Sequence, residues 1–534
     1  MAYTATVNRG IYQMSNRKKT TNAQPIDIAA LRKKVSEQAE VNSPSQSAAP
    51  IELNPMARLV ATQLSRENHS PAIVLGIIRA VEFFILLTIG IAIHLFAEPS
   101  PTSRLFEAVL FGATNATVAA ILMSGVGSYH LRLLRWPSLV IARLLGVLIL
   151  ASLVATAVLF ILNPHRPTPW IEIASLFTGG TIILVVLRYA IARAIRQWGR
   201  NGVMERRAVI VGGGQSAKDV IRSLEGQQDN DIRVCGIFDD RGSVRSPNVV
   251  AGYPKLGTFA ELVEFARLTK LDMLIIALPI TAEARILQLL RKLWVLPVDI
   301  RIASHSSDLR FRPRAYLGKT EMPMLDVFEK PIRDWDSVAK RIFDIVFAIL
   351  AIALTWPIML GAAIAVKLNS KGPVLFIQKR HGFNNDTIDV LKFRSMYTEQ
   401  ADLTAKKAVT KNDPRVTPVG RFIRKTSIDE LPQLFNVLRG ELSLVGPRPH
   451  AVHAQTGTIK YDVVVEHYFA RHKVKPGVTG WAQINGLRGE IDNGEKIKNR
   501  TAFDLFYIEN WSLWLDFKIL VTTPISLIRS RNVY

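Results

Sequence analysis

Three patterns in the sequence predict a membrane α-helical bundle followed by two α/β units. Four apolar runs, each close to or above the roughly 20 residues that cross a bilayer, follow one another early in the chain. Behind them, buried-strand and helix patterns alternate around a glycine turn. The last part of the chain then concentrates charge, glycine and proline behind one further long apolar run. At 534 residues the chain exceeds one ordinary domain, and 49% hydrophobic residues with a mean hydropathy of +0.17 suit membrane segments. A formal charge of +23 leaves three partner classes open: nucleic acid, an anionic membrane surface, or phosphate-bearing substrates. Cys235 is the single cysteine, which excludes an intrachain disulfide and a cysteine-built zinc site and suits a reducing compartment.

In chain order, residues 1–70 are expected to form a disordered cytoplasmic tail, since Asn42–Pro50 is loop-like and no sustained apolar period precedes it. The first long apolar run starts too late for a signal peptide. A four-helix transmembrane bundle is expected over 71–200, from the runs Ala72–Ala97, Leu105–Gly127, Leu139–Leu162 and Ile171–Ile195. The connector His130–Arg135 and the exit carrying Arg188, Arg193, Arg196 and Arg200 are basic, so both ends of the bundle belong on the cytoplasmic side. Arg79 and Glu82, three apart in the first run, read as an intrahelical ion pair facing neighbouring helices, in preference to a transport site.

Residues 205–330 predict a Rossmann-like α/β domain. Ala208–Ala217 runs from a buried strand into a glycine turn and then a helix, and Val234–Phe238 and Leu271–Leu278 supply further strands. Gly212, Gly214 and Ala217 form a Gly-x-Gly-x-x-Ala turn, and Asp239 lies at the distance expected of a ribose-binding acid. Two readings stay open there: a nucleotide-type ligand, or tight strand-to-helix geometry.

The run Ile342–Val366 is long enough to span, yet Pro357 sits within it and cations flank both ends, Lys340 and Arg341 before and Lys367 and Lys371 after. A re-entrant helix over about 342–367, broken near Trp356-Pro357 and returning to the cytoplasmic face, satisfies both flanks; a fifth spanning helix is the alternative.

The chemistry concentrates behind it. Ser427-x-x-Glu430 has capping-box spacing and Pro432 favours a first helical turn, so Asp429 and Glu430 sit at a helix entrance, where carboxylates and phosphates are both favoured. A cap on a solvated face is the plain reading of such a pair. Its surroundings argue otherwise: Arg424 and Lys425 precede it, Arg448 stands in a Gly-Pro-Arg-Pro frame, and Lys392 and Arg394 alternate on one strand face. Fixed cations suit a diphosphate, paired carboxylates offer Mg²⁺ a hard-oxygen site, and aspartate can attack phosphorus.

These residues stand within long motifs in order: Lys392-Phe-Arg-Ser-Met396, Asp429-Glu-Leu-Pro-Gln-Leu-Phe-Asn-Val437, Gly446-Pro-Arg-Pro449, Gly480-Trp-Ala-Gln-Ile-Asn-Gly486 and Tyr507-Ile-Glu-Asn-Trp-Ser-Leu513. By them, residues 335–534 resemble the bacterial sugar transferases, the monotopic phosphoglycosyl transferase superfamily. With the bundle and the Rossmann-like insert, the chain resembles the long-form undecaprenyl-phosphate hexose-1-phosphate transferases. The resemblance implies a multi-pass protein of the bacterial inner membrane, its catalytic domain on the cytoplasmic face. It also implies transfer of hexose 1-phosphate, with glucose the expected sugar, from a UDP-sugar to undecaprenyl phosphate as the first step of exopolysaccharide or capsule synthesis. Asp429 would carry a covalent phosphosugar after UMP leaves, Glu430 would hold Mg²⁺ beside Asp429, and Lys392, Arg394, Arg424, Arg448, Arg488 and Arg380 would bind phosphate. A homodimer is expected and nucleic acid is not.

Two departures from the family pattern stand out: Trp356-Pro357 where a serine often precedes the proline, and Asn385 in place of a glycine, a residue that tolerates a left-handed turn. His450 and His453 read as solvated loop histidines rather than metal ligands, and Tyr507, Trp511 and Trp514 as either an interfacial belt or core. A membrane nucleotide-sugar dehydratase is disfavoured because no tyrosine has lysine four residues on. A membrane-bound regulatory or assembly protein remains the rival that loss of turnover in Asp429→Asn would decide.

Overall fold

The computed structural model describes residues 52–64, 70–97, 104–139, 141–162, 170–200, 205–226, 231–242, 247–279, 282–303, 324–398, 413–451, 455–456, 459–460, 468–489 and 494–529. Helix α1 (Pro55–Leu64) precedes the membrane bundle, and its Ala57, Ala61 and Leu64 recur at helical spacing and are buried. They join the core of the sheet unit that follows the bundle, packed with Val209, Phe238 and Leu262. Expectation of a disordered tail to residue 70 is therefore corrected over this segment: small and aliphatic side chains spaced four and then three apart are enough to seat one short helix on a sheet domain. The rest of 1–70 lies outside the described residues, except Glu52–Asn54 and Ser70.

The bundle consists of α2 (Pro71–Ala97), α3 (Arg104–Gly125), the short α4 (Leu131–Arg135), α5 (Ile141–Leu162) and α6 (Trp170–Arg200). Its four long helices coincide with the four apolar runs, and each is long and apolar enough to cross a membrane. Small residues let α2 and α3 approach closely; a Cβ on Gly90 would fall 2.7 Å from the Cα of Gly112. Glu82 does face neighbouring helices, but its partner is Arg188 of α6, at 2.6 Å, not Arg79. Arg79 is exposed and lies over the Tyr129 ring. Glu82 points into the bundle, where only a cation from across the interface can neutralise it.

The sheet unit comprises β1 (Arg206–Val211), α7 (Gln215–Glu225), β2 (Ile232–Phe238), β3 (Val249–Val250), β4 (Tyr253–Gly257), α8 (Phe259–Leu268), β5 (Met273–Ile276), α9 (Glu283–Leu293), β6 (Asp299–Ala303) and β7 (Met324–Phe328). The strand order is β3-β4-β2-β1-β5-β6-β7. Strands β4, β2, β1, β5 and β6 run parallel, with β3 and β7 antiparallel at the edges. Helices α1, α8 and α9 cover one face and α7 the other. Strand order reverses at β1, so the glycine turn that follows it sits at the switch point of the sheet.

Helix α10 (Asp334–Asn369) then runs for 36 residues. Its start docks on the start of α2: Trp335 donates to the Ala72 carbonyl at 3.1 Å, Ser70 bonds Asp334, and the indole covers Gly76. Helical backbone continues through Pro357, so the expected break near Trp356-Pro357 is no interruption between two helices but a proline carried inside one, where a helix can bend. Thr355, one residue before Trp356, donates its hydroxyl to the Ala351 carbonyl at 2.7 Å and supplies a hydroxyl contact beside the proline. Both halves of α10 pack on the same domain. Lys340, Asp344 and Ala348 bury against the strand and helices that carry Leu444, Val445 and Asp516, whereas Met359, Ala362 and Val366 bury against Phe393 and Ile423. Between these two contact zones Ile349, Leu350, Leu354, Trp356 and Ile358 are exposed.

The remaining elements are β8 (Leu375–His381), β9 (Thr387–Phe393), α11 (Pro418–Lys425), α12 (Gln433–Arg439), β10 (Ser443–Val445), β11 (Gln455–Thr456), β12 (Ile459–Lys460), β13 (Gly477–Thr479), α13 (Trp481–Ile484), α14 (Gly494–Glu509) and α15 (Leu513–Arg529). Strands β8 and β9 form an antiparallel hairpin, and β10 pairs in parallel with β13. At the hairpin turn Asn384 and Asn385 both take left-handed backbone, with φ of 53° and 66°, which for Asn385 matches the tolerance expected of an asparagine in place of glycine. The C-terminal aromatics divide. Tyr507 is core and donates to Asp516 at 2.7 Å, Trp511 also donates to Asp516, and Trp514 is exposed.

Candidate active site

Asp429 and Glu430 occupy a 3₁₀ turn, Ile428–Glu430, between α11 and α12. The Ser427–Glu430 capping box does not form. Ser427 lies in the left-handed region at φ 61°, and its hydroxyl accepts from Arg488 at 2.6 Å instead of capping the turn. Thr417 caps α11 by accepting from the Gly420 N–H, which sets the helix that delivers Arg424 and the dyad.

Cations converge on Glu430 from three elements. Lys392 of β9 reaches Oε1 at 3.2 Å, Arg448 from the loop after β10 binds both oxygens, and Arg488 stands 3.9 Å from Oε2. Burial would raise the Glu430 pKa, but Arg448 and Lys392 outweigh it and hold the group well below its ordinary value. Asp429 differs: its carboxylate receives no hydrogen bond and makes no ion pair among the described residues. Burial is the main cause that lifts its pKa to about 6, helped by Glu430 and opposed by Lys392, Arg424 and Arg448. One carboxylate is thus clamped and ionised. Its neighbour is unclamped, and largely ionised at neutral pH.

The Arg448 loop is fixed at its main chain. Lys340 and Tyr507 donate to the Val445 carbonyl, Arg471 to that of Arg448 at 2.8 Å, and Arg380 to that of Pro449 at 2.6 Å. Arg380 feels the dyad as well: burial and Arg448 lower its pKa to about 10, against Glu430 and Asp429.

Of the residues expected here, Asp429, Glu430, Lys392, Arg448 and Arg488 come together, with Arg424 and Arg380 within electrostatic reach. Arg394 is corrected. It is 4% exposed and turns away from the dyad to the end of α10, where it donates to the carbonyls of Lys371, Ser370 and Val366 and to Thr398. Strand alternation placed it beside Lys392, but β9 ends at Phe393, and from there the last carbonyls of the long helix are nearer than the dyad. His450 is also corrected: it is buried, bonded to the Tyr468 hydroxyl and set against Arg471, and His453 lies outside the described residues. The residues that sequence reasoning missed are Ser427, as partner of Arg488, and Arg471 with Asp504; no motif flagged the last two.

At the glycine turn, Gly212 takes φ +109°, and a Cβ there would sit 3.1 Å from the Ala277 carbonyl. Asp239 meets the turn but is fully buried, accepting from the Gly213 N–H at 2.8 Å and from Arg241. Burial alone would raise its pKa; hydrogen bonds from Arg241 and Gly213 keep it lowered. The Arg241 guanidinium covers Gly214. Turn and acid therefore satisfy each other, and no carboxylate oxygen is left over to reach a ribose.

Residues 335–530 match a family model described as bacterial sugar transferase, and residues 125–304 one described as CoA-binding domain. The UDP-glucose:undecaprenyl-phosphate glucose-1-phosphate transferase of Xanthomonas campestris pv. campestris is 35% identical over 67% of this chain and 74% of its own length. This chain belongs to the bacterial sugar transferase family. The resemblance drawn from its motifs is thereby borne out. The undecaprenyl-phosphate glucose phosphotransferase of Komagataeibacter xylinus is 40% identical over 62% of this chain, and the chain spans 60% of that relative's length. The exopolysaccharide production protein PSS of Rhizobium leguminosarum bv. phaseoli is 46% identical over 36% of this chain and 96% of its own length. The sugar transferase match contains the dyad and every cation around it, whereas the glycine turn falls in the other matched segment.

Proposed function

We propose that this protein transfers hexose 1-phosphate, glucose being the expected sugar, from a UDP-sugar to undecaprenyl phosphate through a covalent phosphosugar on Asp429. The observation that carries this reading is the asymmetry of the dyad: among the described residues Asp429 has no hydrogen-bond partner, while Lys392, Arg448 and Arg488 surround Glu430. An Asp429 oxygen attacks the sugar-bearing phosphorus, the bond to the bridging oxygen breaks, and UMP leaves with the electron pair. A phosphate oxygen of the lipid then attacks the same phosphorus, the bond to Asp429 breaks, and the lipid diphosphosugar forms. Lys392, Arg448 and Arg488 neutralise the diphosphate, with Arg424 and Arg380 adding positive field. The names of the relatives support UDP-glucose, the lipid acceptor and a place in exopolysaccharide production.

Mg²⁺ fits the donor set in kind. Asp429 and Glu430 are adjacent carboxylates on one turn, the hard-oxygen donors of an ion that binds through one or two carboxylates plus substrate phosphate. Glu430 and Asp429 would hold it once the incoming diphosphate competes for the cations now on Glu430. When bound, it would add charge neutralisation at phosphate.

The packing supports a cytoplasmic site on a multi-pass inner-membrane protein. Helix α1, before the first apolar helix, shares a core with the sheet unit that follows the fourth, so an even number of crossings separates them. Helix α10 begins beside the start of α2, and both its halves pack on one domain, which supports a re-entrant helix whose exposed middle enters the bilayer. The reversal of strand order at β1 supports the Rossmann-like reading of 205–330. A homodimer belongs to the same reading and is checked by the mass of the solubilised protein.

The test is UMP release from UDP-glucose by the purified protein with Mg²⁺ and undecaprenyl phosphate. Without lipid, label from the sugar should remain on the wild-type protein and be absent from Asp429→Asn. Release that persists in Asp429→Asn sinks the nucleophile. No release from any UDP-hexose sinks the transferase reading and favours a regulatory or assembly role.

A further inference from the structure

The 3₁₀ segment Tyr468–Lys473 presents two faces to two domains. On its outer face, the Lys473 ammonium lies 4.6 Å from the ring centre of Trp294 and 5.8 Å from that of Phe328, and Arg267 lies 5.5 Å from that of Phe469. Trp294, Phe328 and Arg267 all belong to the sheet unit. The β8–β9 turn joins this seam, for Asn384 donates to the Ala266 and Arg267 carbonyls at the end of α8, both at 3.3 Å, while Asn385 bonds His472.

On its inner face Arg471 has 0% exposure. One nitrogen of its guanidinium donates to the Arg448 carbonyl at 2.8 Å and to Asp504 at 2.6 Å, and the other faces His450 and the Tyr468 hydroxyl. Burial, Arg471 and Arg500 keep His450 uncharged, so it meets Arg471 as an acceptor. Arg448 thus has its side chain on Glu430 and its own carbonyl held from behind by a residue that does not reach the dyad. A planar guanidinium serves these partners at once, which a single ammonium cannot.

We propose that Arg471 is a positioning residue for phosphosugar transfer, fixing the Arg448 backbone with Asp504 as its anchor, in a segment the sheet unit clamps through Lys473 and Phe469. The proposal rests on the transfer reading above and gives the sheet unit a part in aligning the site. If the anchor loosens, Arg448 drifts from the dyad, and a displacement of about 1 Å is enough to cost on the order of a hundredfold in rate.

The experiment measures single-turnover labelling of the full-length protein by UDP-glucose with Mg²⁺ and without lipid acceptor, reading both rate and final extent at saturating UDP-glucose, for wild type, Arg471→Lys, Asp504→Asn and Trp294→Ala. Arg471→Lys and Asp504→Asn should reach the wild-type extent of labelling about ten- to a hundredfold more slowly. Trp294→Ala should slow labelling in the same direction by less. A reduced extent reached at the wild-type rate is what plain loss of folded protein gives, and it overturns the proposal. Should Arg471→Lys fail to fold, a wild-type rate in Asp504→Asn overturns it equally. Failure of the transfer reading looks different, because the wild type itself then takes no label, and that result removes both.

Discussion

Replacing Asp429 by asparagine should abolish transfer and at the same time stabilise the protein, by an amount that depends on pH. The carboxyl's pKa is about 6 in the fold against an ordinary 3.8. A carboxyl raised in this way binds its proton more tightly when folded. Its contribution to wild-type stability is therefore full below 3.8 and lost as the pH rises through about 6. That difference corresponds to about 3 kcal/mol of strain carried by the ionised group above pH 6. Asparagine does not ionise and escapes it. For a domain of this size about 3 kcal/mol becomes roughly 6–12 °C in thermal midpoint. Midpoints of detergent-solubilised wild type and Asp429→Asn should thus coincide near pH 4 and separate between pH 4 and 7, the variant higher. Equal midpoints at pH 7.5, or a gap that closes as the pH rises, would refute the argument that Asp429 sits ionised in a site that disfavours its charge.

Glu430→Gln removes one of the causes that raise Asp429, so the acid limb of single-turnover labelling should move below about 6, while the labelling rate falls on the order of a hundredfold. An unmoved limb would separate the two carboxylates electrically. Arg394→Met strips the donor from the carbonyls of Val366 and Ser370, each worth about 1–3 kcal/mol when left unsatisfied, while Thr398 still donates to that of Lys371. Thermal midpoint should fall sharply with KM for the UDP-sugar unchanged, whereas a raised KM at unchanged midpoint would restore Arg394 to the substrate site. Ser427→Gly relieves about 1 kcal/mol of left-handed strain yet frees Arg488, so stability should hold or rise while turnover drops. Turnover that rises with stability would show that the Ser427–Arg488 bond is dispensable.

What the sequence revealed followed the range of its signals. Four long apolar helices, the sheet unit and the gathering of Lys392, Arg448 and Arg488 at Glu430 are legible from periodicity and from motifs within short stretches, and the structure forms them. Failures came where no motif ties a residue to its partner. Glu82 chose Arg188 over Arg79, and Arg394 chose the end of a helix some two dozen residues earlier over the neighbouring dyad. His450 looked solvated because nothing local shows that Tyr468 and Arg471 enclose it. Helix α1 was missed since ten residues with three buried positions carry too weak a period to stand apart from a polar tail. Capping-box spacing at Ser427 was real, but the pattern cannot register a competing arginine at position 488.

The buried Lys340 joins the two ends of the sugar transferase domain. It contacts Asp344 at 3.0 Å one turn along α10 and Asp516 at 2.9 Å near the start of α15. During synthesis α10 is made with only half of that arrangement in existence. Lys340 and Asp344 then stay wet until α15 has left the ribosome. Tyr507 and Trp511, which also bond Asp516, arrive in the same final segment. A chain that stalls before residue 516 therefore holds a complete α10 and a complete dyad but an open ion cage. Premature termination there should yield a protease-sensitive species, because closure of the domain waits on α15.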